Sequence, residues 1–316
     1  MDETLAFLLA AILTFVFGWN NSSILIGNER GSGTLSGREA VILCSAGMLL
    51  GVALEGSKMR GSLGGLVTGQ VGDPVVIGTL AVSVVLTLGL TVASIPVSFS
   101  NTMVAAFAGA SIAQSLTVRT GDVLTILAFW AVAPVATMLV TILVYRTVDA
   151  AIRGWSLLQV DAFNRAGVGL VSLALAYVLS ANNVGLIFGT AFLSAGGGSV
   201  PGGTLLPALA LALTATVGMV VFGRGNVAGT VGDRLLSLTP QGVLAAFAGT
   251  IAMMWAATQL GIPISASQCL LGGMFGAAFS RKIAIVNRRL SLEVVASWVV
   301  APLAAFALAY FIAPAL

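Results

Sequence analysis

Residues 15–28 read FVFGWNNSSILIGN, and residues 177–190 read YVLSANNVGLIFGT. Each places two adjacent asparagines, Asn20-Asn21 and Asn182-Asn183, inside a stretch otherwise apolar enough to be a membrane helix. Each also carries a glycine seven positions after its first asparagine, Gly27 and Gly189. An amide left unpaired in hydrocarbon is costly, so such groups face protein or a water-lined cavity. A polar interruption recurring in both halves of a membrane chain marks the central binding site of a transporter.

The surrounding composition fits that reading. Of 316 residues, 58% are hydrophobic and only 8% charged, where a soluble domain has about a quarter charged. The mean hydropathy is +1.06. Ten long apolar stretches cover about 4–27, 39–56, 75–94, 95–116, 122–145, 166–193, 203–223, 241–261, 262–280 and 291–313. A spanning helix needs about 20 apolar residues, and the runs are continuous rather than alternating, which excludes a membrane barrel. The fold class is an all-α integral membrane protein. Its acidic start, MDET, leading into an uninterrupted apolar run, argues against a cleaved signal peptide.

A second repeat is sharper. Residues 95–101 read IPVSFSN and residues 262–268 read IPISASQ. Gly109-Ala110 then matches Gly276-Ala277, and Trp130 with Pro134 matches Trp298 with Pro302. The three matches occur in the same order at offsets of 162, 167 and 168 residues. Residues 1–316 thus form a single membrane domain: half one at about 4–145, a polar connector at about 146–165, and half two at about 166–316. Five stretches per half invert the second half relative to the first, unless 95–116 and 262–280 are re-entrant hairpins. The expected architecture is an inverted-repeat bundle with broken helices and helical hairpins.

Proline tolerates the first turn of a helix and disfavours helix before itself. Pro96 and Pro263 therefore restart helices inside the protein, with Ser98, Ser100, Asn101 and Ser265, Ser267, Gln268 at their starts. Free N–H groups and the positive end of the helix dipole make such places anion sites. Two of them facing each other suit a small tetrahedral oxyanion. The competing structural role, serine bonding to carbonyls of its own helix, is weakened by duplication in register. Asn20, Asn21, Asn182 and Asn183 offer carbonyl oxygens to a cation or amide donors to an anion, against a purely interhelical role. Glu55, near the end of LLGVALE, is either a proton or cation site or a boundary carboxylate paired with Lys58 or Arg60. Arg224 occupies the corresponding region of half two, with the same ambiguity.

Other classes fare worse. The chain has no histidine, and Cys44 and Cys269 fit no disulfide or metal framework. No metal-ligand spacing or nucleotide loop is present, so an enzyme is not expected, and no cofactor beyond a coupling ion. The net charge of +3 lies mostly between apolar runs and is explained by lipid headgroups, not nucleic acid. Arg281, Lys282, Arg288 and Arg289 form the densest cluster and place that loop in the cytoplasm. An anion channel shares helix-terminus chemistry and is separated from a carrier only by saturable, counter-ion-dependent flux.

These residues resemble the inorganic phosphate transporter family, the sodium- or proton-coupled phosphate permeases. The family's duplicated Gly-Ala-Asn-Asp-x-x-Asn-x-x-Gly-Thr signature appears as GWNNSSILIGN (18–28) and SANNVGLIFGT (180–190). Its Pro-x-Ser-x-Ser/Thr-His/Gln element appears as PVSFSN (96–101) and PISASQ (263–268), and residues 223–246 resemble its second-half loop and following helix. The resemblance implies a serine-tip phosphate site, a coupling-ion site near Asn20 and Asn182, and a homodimer; the short loops, separately, point to a prokaryotic cell membrane. Two departures stand out. The family's aspartate is Asn21 and Asn183 here, and its later asparagine is Ile24 and Leu186. Without a carboxylate a sodium site is weaker, which leaves the coupling ion open between proton and sodium. Sulfate, which carries no proton at neutral pH and needs only donors, becomes the alternative substrate to phosphate.

Overall fold

The computed structural model describes residues 3–22, 25–26, 33–93, 98–194, 204–222, 238–281 and 288–316. Pro96, Ile24, Gly27, Arg224 and Lys282 lie outside them. Half one runs α1 (Glu3–Ser22), α2 (Gly37–Glu55), a 3-10 turn (Gly56–Met59), α3 (Asp73–Val92), α4 (Phe99–Ala113) and α5 (Thr120–Ala151). Half two runs α6 (Leu157–Leu179), a π-helical turn (Ser180–Val184), α7 (Gly185–Ala191), α8 (Leu205–Phe222), α9 (Pro240–Gln259), α10 (Ala266–Arg281) and α11 (Arg288–Ile312).

Eight of these segments are long and apolar enough to cross a membrane. The stretches at 95–116 and 262–280 are not. They hold helices of 15 and 16 residues, roughly 22–24 Å at 1.5 Å per residue, short of the ~30 Å hydrocarbon core. In half two the shortening follows from sequence: Pro263 disfavours helix before itself, 262–265 are non-helical, and helix begins only at Ala266. Each short helix packs back along the helix before it, α4 on α3 and α10 on α9. In half one, two short strands tie the ends of this hairpin together, β1 (Val67–Thr68) pairing antiparallel with β2 (Thr117–Val118). The hairpin therefore returns to the face it left. Its contribution to the crossing count is even, and α1, α2 and α5 make the total per half odd. Half two starts from the opposite face, so the repeat is inverted.

The connector region is mostly helix. α5 runs through to Ala151, Gly154 makes the turn with φ +93°, and Ser156 opens α6 with a capping box to Gln159. A side chain at such φ is strained, which is why glycine suits the turn.

The halves are interlocked rather than side by side. α1 packs on α8, and its counterpart α6 packs on α2; α4 packs on α11, and α10 on α5. Matched glycines set these approaches. A Cβ at Gly51 would overlap the carbonyl oxygen of Tyr177, and one at Gly218 that of Phe15. A Cβ at Gly109 would overlap the carbonyl of Phe306, and one at Gly276 would press on that of Met138. Each contact is the image of its partner under the repeat. Small residues at such crossings let helix backbones touch, and van der Waals contact then holds helices together in lipid.

Burial separates centre from periphery. An apolar stretch within 157–191 is 72% buried within the protein, whereas those within α5 and α11 are 22% buried. Those two helices expose Leu139, Leu143, Val299 and Leu303, as lipid-facing surfaces do.

Candidate functional site: two hairpin tips and two asparagine pairs

The two asparagine pairs sit at or next to the points where their α-helices end. Asn20 and Asn21 lie within α1, and Asn182 and Asn183 lie in the π turn between α6 and α7. A π turn inserts one extra residue into the ladder, and such bulges gather at functional sites. The second asparagine of each pair bonds back to its own helix: Asn21 Nδ2 donates to Phe17 O at 3.0 Å and Asn183 Nδ2 to Leu179 O at 3.1 Å. That fixes each amide and turns its oxygen away from the helix. The first asparagine reaches across: Asn20 Nδ2 donates to Thr91 Oγ1 at 2.9 Å, and Asn182 Nδ2 to Thr258 Oγ1 at 3.0 Å. Thr91 and Thr258 are repeat counterparts at the ends of α3 and α9. Sequence reading missed both, although the 167-residue offset that aligns the serine tips also aligns them.

Asn182 does more. Its Nδ2 also donates to Ile262 O at 3.2 Å, and its Oδ1 accepts from Ile264 N at 3.4 Å. It thus holds the non-helical segment leading into α10. Ser98 and Ser265 stand immediately before α4 and α10, and Ser100, Asn101, Ser267 and Gln268 lie in the first turns. The two tips meet. Ser100 Oγ lies 2.7 Å from Asn183 Oδ1 and 2.9 Å from Ile264 O, and its single proton serves one or the other.

All six tip residues are buried. Several of their polar atoms nevertheless have no partner among the described residues: Ser98 Oγ, both amide ends of Asn101, and Gln268 Oε1. Buried polar groups are ordinarily satisfied, so a cluster of unsatisfied ones at two abutting helix starts calls for a polar occupant. The first N–H groups of each helix have no intrahelical acceptor either. Ser265 Oγ caps one of them, Gln268 N at 3.3 Å, whereas Ser98 caps none.

Glu55 lies elsewhere. It pairs with Lys58 at 3.0 Å and accepts from Gln259 Nε2 at 3.1 Å on each oxygen, while Lys58 also bonds Gln259. Ser62 Oγ donates to Gly261 O at 2.6 Å, and Asn182 Nδ2 lies 3.6 Å from Met59 Sδ. These contacts pin the 55–62 segment against the α9–α10 turn. The Glu55 carboxylate thus borders the site through Gln259, the neighbour of Thr258, and contacts neither serine tip.

The sequence matches the phosphate transporter family over residues 17–183 and 179–316. The chain belongs to that family. Two proteins named "Putative phosphate permease" are among its relatives. The one from Haemophilus influenzae is 33% identical over 140 residues, 42% of this chain and 33% of that protein. The one from Methanocaldococcus jannaschii is 22% identical over 311 residues, 98% of this chain and 96% of that protein. The match thus spans a third of the length of the bacterial relative and nearly all of the archaeal one. A solved structure named "The sodium-dependent phosphate transporter" superposes with a TM-score of 0.85 at 18% identity, over 99% of this chain and 98% of that one. That agreement concerns the fold. Asn21 and Asn183, where the resemblance leads one to expect aspartate, are the two asparagines bonded back to Phe17 and Leu179. Among the described residues, no group of three acidic, cysteine or histidine side chains gathers anywhere.

Proposed function

We propose that this chain is a secondary transporter that carries inorganic phosphate by alternating access, coupled to a cation. One observation carries the reading. Two helix starts abut at the centre of an inverted repeat, and their buried serine and amide groups lack protein partners. Family membership supports phosphate as the oxyanion, and a structural neighbour named for its sodium dependence supports sodium as the coupling ion. Ser98 and Ser265 supply hydroxyl donors, the first-turn N–H groups supply backbone donors, and Asn101 and Gln268 supply both donors and acceptors. The amide oxygens matter for phosphate, whose own proton needs an acceptor.

A second reading is sulfate. It is favoured by Asn21 and Asn183 standing where the family has aspartate, which leaves the asparagine pairs and tips without a formal negative charge. Uptake of radiolabelled phosphate and sulfate into proteoliposomes, with and without sodium and proton gradients, decides between them. Gradient-driven phosphate uptake is the expected result; sulfate uptake with phosphate ignored would reverse the assignment.

Two substitutions refine the test. Ser98→Ala or Ser265→Ala removes a donor to a charged ligand, worth roughly 1.5–3 kcal/mol, so apparent affinity should fall about tenfold or more. Unchanged affinity in both variants would remove the tips from the site. Asn21→Asp or Asn183→Asp restores the family carboxylate and should strengthen sodium dependence, read as a lower sodium concentration for half-maximal uptake. No change in either variant would show that the carboxylate position does not govern coupling here.

A further inference from the structure

The repeat gives every contact of one half an expected image in the other, so a missing image is informative. The frame is closely symmetric. The asparagine-to-threonine bonds differ by 0.1 Å between halves, as do the asparagine bonds back to their own helices. The tip hydroxyls break that symmetry. Ser100 Oγ lies on Asn183 Oδ1 at 2.7 Å. Its counterpart Ser267 has Asn21 as the matching acceptor and does not use it. Ser267 Oγ instead sits 3.2 Å from Ser265 Oγ, within its own tip. Asn21 Oδ1 receives no hydrogen bond among the described residues, although the side chain is held by Phe17 O.

The capping serines differ in the opposite sense. Ser265 is engaged with Ser267 and with Gln268 N, whereas its counterpart Ser98 has no partner among the described residues. One tip is therefore latched across to the other half with its cap released. The other is capped on itself with its cross-latch open. Exposure follows the same division. Ser267 is 8% exposed and Ser100 0%; Asn21 is 3% exposed and Asn183 1%. The slight opening lies on the unlatched side.

We infer that Ser100–Asn183 and Ser267–Asn21 are alternating latches, of which this structure holds the first closed. In the opposite state Ser267 donates to Asn21 Oδ1, Ser100 is released, and Ser98 takes the capping role that Ser265 has here. No charge moves and no proton is exchanged, so the device contributes no pH dependence of its own. The exchange keeps the number of buried hydrogen bonds constant, so neither state gains from the latches alone. Near-equal states are what a carrier needs if a bound ligand is to shift the balance. The inference rests on the alternating-access reading but not on which oxyanion is carried. The asparagines at these two positions, in place of the family's aspartate, serve it directly. A neutral amide accepts one hydroxyl without holding a net charge in the unlatched state.

Disulfide trapping tests this without any transport assay. In a background with Cys44→Ala and Cys269→Ala, two double variants are oxidised in membranes with copper phenanthroline and read by peptide mass spectrometry. Ser100→Cys with Asn183→Cys should cross-link directly. Asn21→Cys with Ser267→Cys should also cross-link, because the chain visits the opposite state. Adding Ser100→Ala to the second pair removes the competing latch and should raise its cross-linking rate roughly two- to tenfold, the range expected for one hydrogen bond. Failure of Asn21/Ser267 to cross-link while Ser100/Asn183 does would make the observed bond a fixed contact and overturn the inference. So would an unchanged rate with Ser100→Ala, or absence of both cross-links.

Should a double-cysteine chain not fold, hydrogen exchange on the single variants decides. Ser100→Ala should speed exchange at the α4 tip and slow it at the α10 tip, and Ser267→Ala should leave the α4 tip unaffected in this state. A change confined to the α4 tip in Ser100→Ala would overturn the inference. A chain that carries sulfate, or that needs no cation, would still show the exchange, so failure of the substrate assignment and failure of the latch are read separately.

Discussion

Gly51→Val and Gly218→Val should each abolish recovery of folded protein, while Gly89→Ala should be neutral or stabilising. The expected difference comes from what a side chain would meet. At Gly51 and Gly218 the added Cβ lands on the backbone carbonyls of Tyr177 and Phe15, in helices fixed along their length by other contacts. Neither carbonyl can swing aside without breaking its own helix. The two helices must instead separate, forfeiting the packing that holds them in lipid, so the cost exceeds the roughly 1–3 kcal/mol usual for overpacking. Gly89 lies within α3, with nothing within 4 Å of a built Cβ. There alanine gains helix propensity, worth up to about 1 kcal/mol. Detergent-solubilised size-exclusion profiles read the outcome. Monodisperse Gly51→Val protein at normal yield would refute the close crossing between α2 and α6. Because Gly51 and Gly218 are images of each other, the two variants should fail alike. A large difference between them would mean that the halves do not carry the bundle equally.

The glycine pairs show how much could be read in advance. The duplication was visible from Asn-Asn, Ile-Pro-x-Ser-x-Ser and Trp-x-x-x-Pro, and it led to the family. The same offsets align Gly51 with Gly218 and Thr91 with Thr258, but single glycines and threonines recur too often in a membrane chain to stand out. They acquire meaning only when a neighbouring carbonyl or amide is placed against them. Helix length was another limit. An apolar run such as 262–280 satisfies a hydropathy window whether it spans or turns back. The deciding fact is that the chain around Pro263 stays non-helical to Ser265, which leaves 16 residues of helix. Glu55 shows a third limit. A carboxylate in an apolar run leaves a functional reading and a pairing with Lys58 or Arg60 both open; the structure selects Lys58 and adds Gln259, distant in sequence. The serine tips were legible because chemistry and repetition coincided there. Their asymmetry was not, because the two motifs are nearly identical and a sequence holds no conformational state.

The residue on which this organisation depends most is Asn182, and Asn182→Leu should reduce uptake by far more than tenfold while Thr258→Val has a modest effect. Leucine is only somewhat larger than asparagine, so the change is chiefly one of polarity. Asn182 is fully buried, and its amide serves three partners on the α9–α10 connection: Thr258 Oγ1, Ile262 O and Ile264 N. Replacing it leaves the Ile262 carbonyl and the buried Ile264 N–H without their partner. At about 1–3 kcal/mol each, the loss is roughly 2–6 kcal/mol, concentrated on the few residues that position the α10 tip. Thr258→Val removes only one acceptor, and Asn182 Nδ2 keeps Ile262 O. The cost there should stay near ~1 kcal/mol. Thermal unfolding separates local from global damage. The expected pattern is a moderate fall in melting temperature for Asn182→Leu with near-complete loss of uptake, because a displaced Ile264 also deprives Ser100 of its alternative acceptor. Comparable uptake in the two variants would mean that the tip is positioned by packing alone. The unpartnered groups of Ser98, Asn101 and Gln268 would then be the sole polar basis of the site.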